Sequence, residues 1–342
     1  MTYLGEGDTP LIKSKYLGTS LGLNNLYFKL ENLNPTGSYK DRFAASALID
    51  MQINNCTSCF ATSSGNSGSS LAAYCASAGI RCVVAVVDGI PLSKKNQMLA
   101  YGAELYEVNN FGICASVTSN TFNLINNISS KPNSSLQISA YKFSPKSMEG
   151  VEKISNELDT QMGHVDHIFC PVGGGGLLLS LFKGFEKLSK INKLKYFPKF
   201  HAVQPCGNDT IASSVGKNYD GKIIKKSETK ISGLQVPSIV DGCEVLAILN
   251  AHNGLGHLVS DEFTLQIQQI LASKEGIFCE PSSAISVSGL IKAVKTNQIN
   301  PHEKIVCLIT GSGFKDTNSF DKMTNSGKYF NLEYYEFAKL TI

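Results

Sequence analysis

Charge of neither sign dominates this sequence: 31 Lys and Arg against 28 Asp and Glu leave a net charge of +3. No basic block is interleaved with aromatics, so nothing argues for a nucleic-acid partner. The lysines between 222 and 230 alternate with Ile, Ser, Glu and Thr and read as a solvated loop. Long apolar runs are missing too. Stretches such as 82–87 fall far short of a membrane span. The opening Met1-Thr2-Tyr3-Leu4-Gly5-Glu6 lacks the charged segment and apolar core of a secretory signal. There is no fixed-period repeat and no low-complexity linker, although residues 129–135 and 216–230 are polar and loop-like. Ten cysteines in 342 residues make no disulfide framework. Cys82, Cys170 and Cys307 lie in strand-like runs, where a thiol is usually a small buried hydrophobe, and a cytoplasmic setting is expected. Cys56 and Cys59 form a CxxC, but zinc would need further ligands at matching spacing, so the pair reads as structural.

What is present is an alternation of short apolar runs (26–30, 59–62, 82–87, 104–108, 167–172, 201–204 and 305–309) with helical patterns. That alternation predicts an α/β protein with largely parallel sheets flanked by helices. The length, with 42% hydrophobic residues, suffices for two domains with sizeable cores.

Four segments carry chemistry. Thr36-Gly37-Ser38-Tyr39-Lys40-Asp41-Arg42 sets a lysine at a turn where a helical pattern begins. The positive end of a helix disfavours an ammonium ion and frees the amine for a Schiff base with an aldehyde cofactor. Ser63-Ser64-Gly65-Asn66-Ser67 follows a strand-like run and opens an apolar helix. Its small residues let a carboxylate approach the main chain, and Asn66 offers an amide to a phenolate oxygen. Gly173, Gly174, Gly175 and Gly176 lie between a buried strand and a helix, where successive N–H groups can converge on a phosphate. They lack the GxGxxG spacing of dinucleotide sites. Thr310-Gly311-Ser312-Gly313-Phe314-Lys315-Asp316 follows a strand, and a hydroxyl at a strand's carboxyl end faces the crevice of an open parallel sheet. If the cofactor is a pyridine ring, Thr310 is a neutral partner for its nitrogen, which suits elimination and replacement chemistry.

In that order, with Gly5-Glu6-Gly7-Asp8-Thr9-Pro10-Leu11 at the start and Glu280-Pro281-Ser282-Ser283-Ala284 before the last motif, the chain resembles the pyridoxal-phosphate enzymes of fold type II, the tryptophan synthase β-like group. Its threonine synthase branch is the most similar. The resemblance implies a smaller α/β domain at 41–143 inserted between 1–40 and 144–342, with pyridoxal 5'-phosphate in the crevice between them, and a homodimer. It implies that Lys40 holds the cofactor covalently and carries the proton transfers, that Asn66 meets the phenolic oxygen, that the four glycines take the cofactor phosphate, and that Thr310 faces the pyridine nitrogen. Ser63, Ser64, Gly65 and Ser67 would hold the substrate carboxylate, and the substrate would be an amino acid, phosphorylated in a threonine synthase. Lys315 is either a cation beside the crevice or a surface partner of Asp316, and Glu280 is either a pocket residue or a helix cap.

One segment departs from the family. Threonine synthases commonly carry NPxRxxG ahead of the glycine loop, with an arginine resembling a clamp for substrate phosphate. This chain reads Ser144-Pro145-Lys146-Ser147-Met148-Glu149-Gly150. Ser147 stands at the arginine position, and Lys146 is the neighbouring candidate to replace it. Two further chemistries are thereby opened, β-replacement on an activated serine and dehydration of serine or threonine. A regulatory module that binds the cofactor without turnover is the non-enzymatic alternative.

Overall fold

The computed structural model describes residues 3–191, 194, 196–217, 221–324 and 327–340. Ten strands are present among them: β1 (Leu11–Lys13), β2 (Asn25–Lys29), β3 (Ser58–Ser63), β4 (Arg81–Val86), β5 (Glu104–Glu107), β6 (Ser134–Gln137), β7 (His167–Pro171), β8 (Lys199–Pro205), β9 (Leu255–Val259) and β10 (Lys304–Leu308). They form a six-stranded sheet in the order β1-β2-β10-β7-β8-β9 and a four-stranded sheet in the order β5-β4-β3-β6. Only the β1–β2 pairing is antiparallel. The seven apolar runs read from the sequence correspond to β2, β3, β4, β5, β7, β8 and β10. β7 is buried along its whole length, and β10 at every residue but its first. Parallel strands covered by helices on both faces lose contact with water on both sides, so they read as continuous apolar runs.

β1, β6 and β9 lie outside those runs. β6 begins inside residues 129–135, read as a loop, because its sequence Ser-Ser-Leu-Gln is polar; it occupies an edge position, where one side of the strand faces no neighbour. Part of the other polar stretch, at 218–220, lies outside the described residues. The rest of it is irregular, as expected, but Ser227 and Thr229 are buried.

The helix Lys40–Ile53 packs on Pro145–Met162, which packs on Gly176–Lys190. A buried ion cluster fixes this stack. Arg42 bonds Glu31 through Nε at 2.7 Å and Glu157 through Nη1 at 2.6 Å, and Lys29 reaches Glu157 at 2.6 Å. The N-terminal Gly-Asp-Thr-Pro segment is tied into the same cluster: Thr9 Oγ1 donates to Glu31 at 2.7 Å, and the Asp8 N–H donates to Glu157 at 2.9 Å. That motif therefore acts as an anchor for the segment carrying Lys40. The loops after β3, β7 and β10 converge on one crevice, the place where parallel sheets expose unpaired strand ends.

Candidate active site

Lys40 begins the helix Lys40–Ile53. The turn ahead of it is held by Asp41, which accepts from the Thr36 N–H at 2.7 Å and from Thr36 Oγ1 at 2.6 Å. The same turn is stitched to the loop after β10: the Tyr39 N–H donates to Thr310 O at 3.1 Å and the Ser312 N–H to Gly37 O at 2.9 Å. Lys40 Nζ donates to Ser139 Oγ and lies 4.5 Å from the centre of the Tyr39 ring. Burial pushes its pKa down to about 8, although Asp241 and Glu280 pull it upward. Removal from water is thus the leading cause, ahead of the helix start invoked from sequence. About a tenth of the amine is uncharged at pH 7, far more than for an ordinary lysine, and available as a nucleophile or base.

Two arrays of backbone N–H groups face the same cavity. Among the described residues, none accepts a hydrogen bond from the N–H of Gly173, Gly174, Gly175 or Gly176, which sit ahead of and at the start of the helix Gly176–Lys190. Asp241 fastens this loop from behind. Its N–H donates to Gly174 O at 2.9 Å, and its carboxylate accepts from the N–H groups of Tyr141 and Lys142 at 2.9 and 3.0 Å, two residues beyond Ser139. The second array is formed by Ser64, Asn66 and Ser67 at the start of the helix Asn66–Ala78, whose N–H groups likewise have no acceptor among the described residues. Ser63 builds this loop rather than pointing a free hydroxyl at a ligand, because its Oγ accepts from the N–H of Gly65 and of Gly68, both at 2.8 Å. Gly65 is irreplaceable on steric grounds: its φ is +132°, and a Cβ there would sit 2.2 Å from Lys94 Cδ.

Glu280 takes the pocket role of the two open to it. It stands at the N-cap of the helix Pro281–Lys295, but its side chain makes no capping hydrogen bond. Its carboxylate meets Lys94 Nζ at 3.0 Å, Asn66 Nδ2 at 2.6 Å and Ser282 Oγ at 2.6 Å. Burial opposes ionisation of Glu280, but Lys94 and Ser282 outweigh it and hold the carboxyl below its ordinary range. Asn66 Oδ1 is buried and unpartnered. Thr310 Oγ1 lies 3.1 Å from Ser283 Oγ at the cavity edge.

The cavity encloses about 1120 Å³ including its mouth and is lined by Lys40, Ser63, Ser64, Asn66, Ser67, Gly173, Gly174, Gly175, Gly176 and Thr310 among others. Neither lysine expected to help bind substrate lines it. Lys146 is exposed and points outward to Asp50, 3.6 Å away. Lys315 is buried, so it is no surface partner of Asp316. Its Nζ donates to Gln97 Oε1 at 2.6 Å in a separate depression. Ser147 is 1% exposed and donates to Gln137 at 2.7 Å, in a spot already packed. No arginine elsewhere replaces it. The chain has two, Arg42 and Arg81, paired with Glu31 and Glu157 and with Glu104 respectively.

Sequence reasoning missed Ser139, Lys94 and Asp241. Ser139 and Lys94 stand in no motif, and Lys94 is half of an ordinary Lys-Lys pair on a helix. Asp241-Gly242 ahead of the helix Gly242–Ala251 is a usable signal, an acid at a helix start.

The family model described as "pyridoxal-phosphate dependent enzyme" matches residues 2–311. The threonine synthase of Halalkalibacterium halodurans is 32% identical over 319 residues, covering 92% of this chain and 85% of that protein. That of Methanocaldococcus jannaschii is 31% identical over 325 residues, covering 92% and 77%. Among solved structures, a threonine deaminase from T.th. superimposes with a TM-score of 0.71 at 25% identity, covering 89% of this chain and 92% of that one. Maize serine racemase superimposes with a TM-score of 0.74 at 20% identity, covering 92% and 90%, a likeness of fold alone. With one family model spanning nine-tenths of the sequence, and relatives above 30% identity matched along most of their length, the chain belongs to the pyridoxal-phosphate dependent enzymes of fold type II.

Proposed function

We propose that this enzyme carries out elimination and replacement on an amino-acid substrate, with the formation of L-threonine and phosphate from O-phospho-L-homoserine and water as the first reading. The observation that carries the chemistry is the placement of one low-pKa amine, Lys40, in a cavity with two separate arrays of N–H groups lacking acceptors. Such a cavity suits a cofactor phosphate on one array and a substrate carboxylate on the other. The names of the relatives support the choice of substrate.

Pyridoxal 5'-phosphate is the cofactor, and when bound it supplies an electron sink for the bond broken at the substrate's α-carbon. In our reading Gly173, Gly174, Gly175 and Gly176 hold its phosphate, Lys40 its carbonyl carbon, and Thr310 offers a neutral hydroxyl to the ring nitrogen. Asn66 turns its amide from Glu280 toward the phenolic oxygen. Ser64 and Ser67, with the main chain of Gly65 on a loop built by Ser63, hold the substrate carboxylate. The Lys40 amine would take the substrate's α-proton at Nζ and return protons at the later carbons. Ser139 orients Nζ, and burial keeps the amine basic enough to accept a proton yet neutral enough to start.

A specific observation favours a second reading. Lys40 and Glu280 are the only charged residues lining the cavity among those described. A phosphorylated side chain would therefore lack a cationic partner, which a serine or threonine hydroxyl does not need. Dehydration, or β-replacement on an activated serine, follows from that. The holoenzyme offered O-phosphohomoserine, O-phosphoserine, serine and threonine separates the readings. The first expects threonine and phosphate from O-phosphohomoserine with weak saturation. Ammonia and an oxo acid from serine or threonine select dehydration, and turnover of O-phosphoserine with an added nucleophile selects β-replacement. Retained cofactor with no turnover of any substrate would leave a binding module.

A further inference from the structure

Apart from the active site, three thiols meet inside the smaller sheet. Cys59 on β3 and Cys82 on β4 are direct partners in the parallel register. Cys75 comes from the helix Asn66–Ala78, which packs on both strands. The three sulfurs lie within 4.8 Å of one another. All are unoxidised, with Cys59 and Cys75 fully buried and Cys82 5% exposed. Nothing in the proposed reaction uses them. Cys56, the other half of the CxxC, is not among them, and the cluster draws on two thiols that stand in no cysteine motif.

We infer that Cys59, Cys75 and Cys82 form a binding site for a single soft monovalent metal ion, copper(I), held by three sulfurs. The geometry supports three-coordination. A metal–sulfur bond of about 2.3 Å in a trigonal plane sets the sulfurs about 4.0 Å apart, and the three sulfurs here all lie within 4.8 Å of one another. Among the described residues, no His, Cys, Asp or Glu supplies a fourth ligand atom within the same radius. Zinc normally closes its shell with four ligands, whereas thiolates select copper(I). Each metal–sulfur bond formed by a thiolate replaces an S–H bond whose proton leaves to solvent. One such loss leaves the site neutral, which apolar surroundings favour. A filled site would clamp the helix Asn66–Ala78 to β3, and both lead into the loop bearing Ser64 and Asn66.

Anaerobic titration of the holoenzyme with copper(I), buffered by bathocuproine disulfonate, tests this. One equivalent should be withdrawn, with a sulfur-to-copper charge-transfer band in the ultraviolet and a rise in melting temperature. Cys59→Ala, Cys75→Ala and Cys82→Ala should each weaken binding by more than about 100-fold, beyond the cost of losing an outer contact. Cys206→Ala/Cys243→Ala, which removes the two exposed thiols, should change nothing. X-ray absorption on the unaltered protein should count three sulfur neighbours, a reading that needs no variant to fold. Two or four sulfurs, displacement by an equal concentration of zinc(II), an unchanged band in Cys75→Ala, or its loss in Cys206→Ala/Cys243→Ala would each overturn the assignment.

Discussion

The two kinds of wall in the active-site cavity are built from different parts of the chain. The anion-facing wall is main chain: N–H groups of Ser64, Asn66 and Ser67 and of residues 173–176, shaped by glycines and serines. The rest is largely side chain, with Val87, Phe111, Phe122, Ile138 and Leu234 lining the space beside Lys40. Backbone recognises a phosphate or carboxylate whatever lies attached to it, so in our proposal that wall takes the cofactor phosphate and the common end of any amino acid. Side chains meet the part in which substrates differ. The cofactor wall keeps the family's pattern, whereas the segment 144–150 departs from it, and so family membership and exact substrate separate here.

Lys40→Ala should have the largest effect, lowering turnover by at least about 1000-fold in a protein that still folds, since in our proposal one amine serves as both nucleophile and base. A residual rate within tenfold of the unaltered enzyme in steady-state kinetics would move the chemistry elsewhere. Gly175→Val tests the backbone wall. Gly175 has a φ of +101°, and a Cβ would come 2.9 Å from Val245 Cγ2, so the loop must shift. Strain of about 1–3 kcal/mol on that array should weaken cofactor retention by roughly 5- to 150-fold, read as absorbance lost on dialysis. Full retention would break the distinction between the walls.

Glu280→Gln removes the partner of Lys94, a lysine 1% exposed. Stranding a buried charge costs about 3–5 kcal/mol, so a pronounced fall in melting temperature is expected, partly rescued by Lys94→Met. No fall would mean that the pair is not buried in solution. Asn66→Ala should cost on the order of 1 kcal/mol of cofactor affinity and leave much of it bound. Thr310→Ser should be nearly silent in absorbance and rate, because it keeps the hydroxyl; a marked change in either would put more than the hydroxyl to use.

The legible parts of this molecule were those where physics constrains the residue type locally. Fully buried strands such as β7 must be apolar throughout, and glycine and serine runs at strand ends announce backbone exposed for anions. β1, β6 and β9 escaped because three residues, a polar edge and an internal glycine carry too little periodicity. The three side chains missed around Lys40 escaped for a different reason. Ser139, Lys94 and Asp241 reach the site through the approach of distant segments, and only the position of Asp241 at a helix start gives a local hint of it. The charged neighbours Lys146 and Lys315 misled for the same reason in reverse. Sequence placed them beside motifs, while packing turned one to solvent and buried the other against Gln97.

The central claim is that Lys40 is the amine that burial has made reactive. The most direct measurement strips the cofactor, adds pyridoxal phosphate across a pH series, reduces with borohydride and maps the labelled peptide. A group whose pKa is lowered is protonated, and so unreactive, only at lower pH. Labelling at Lys40 should therefore rise through a midpoint near pH 8 and level off above it, where ordinary lysines with a pKa of 10.5 still react little. A principal label on another lysine, or a midpoint at Lys40 near that ordinary value, would contradict the account.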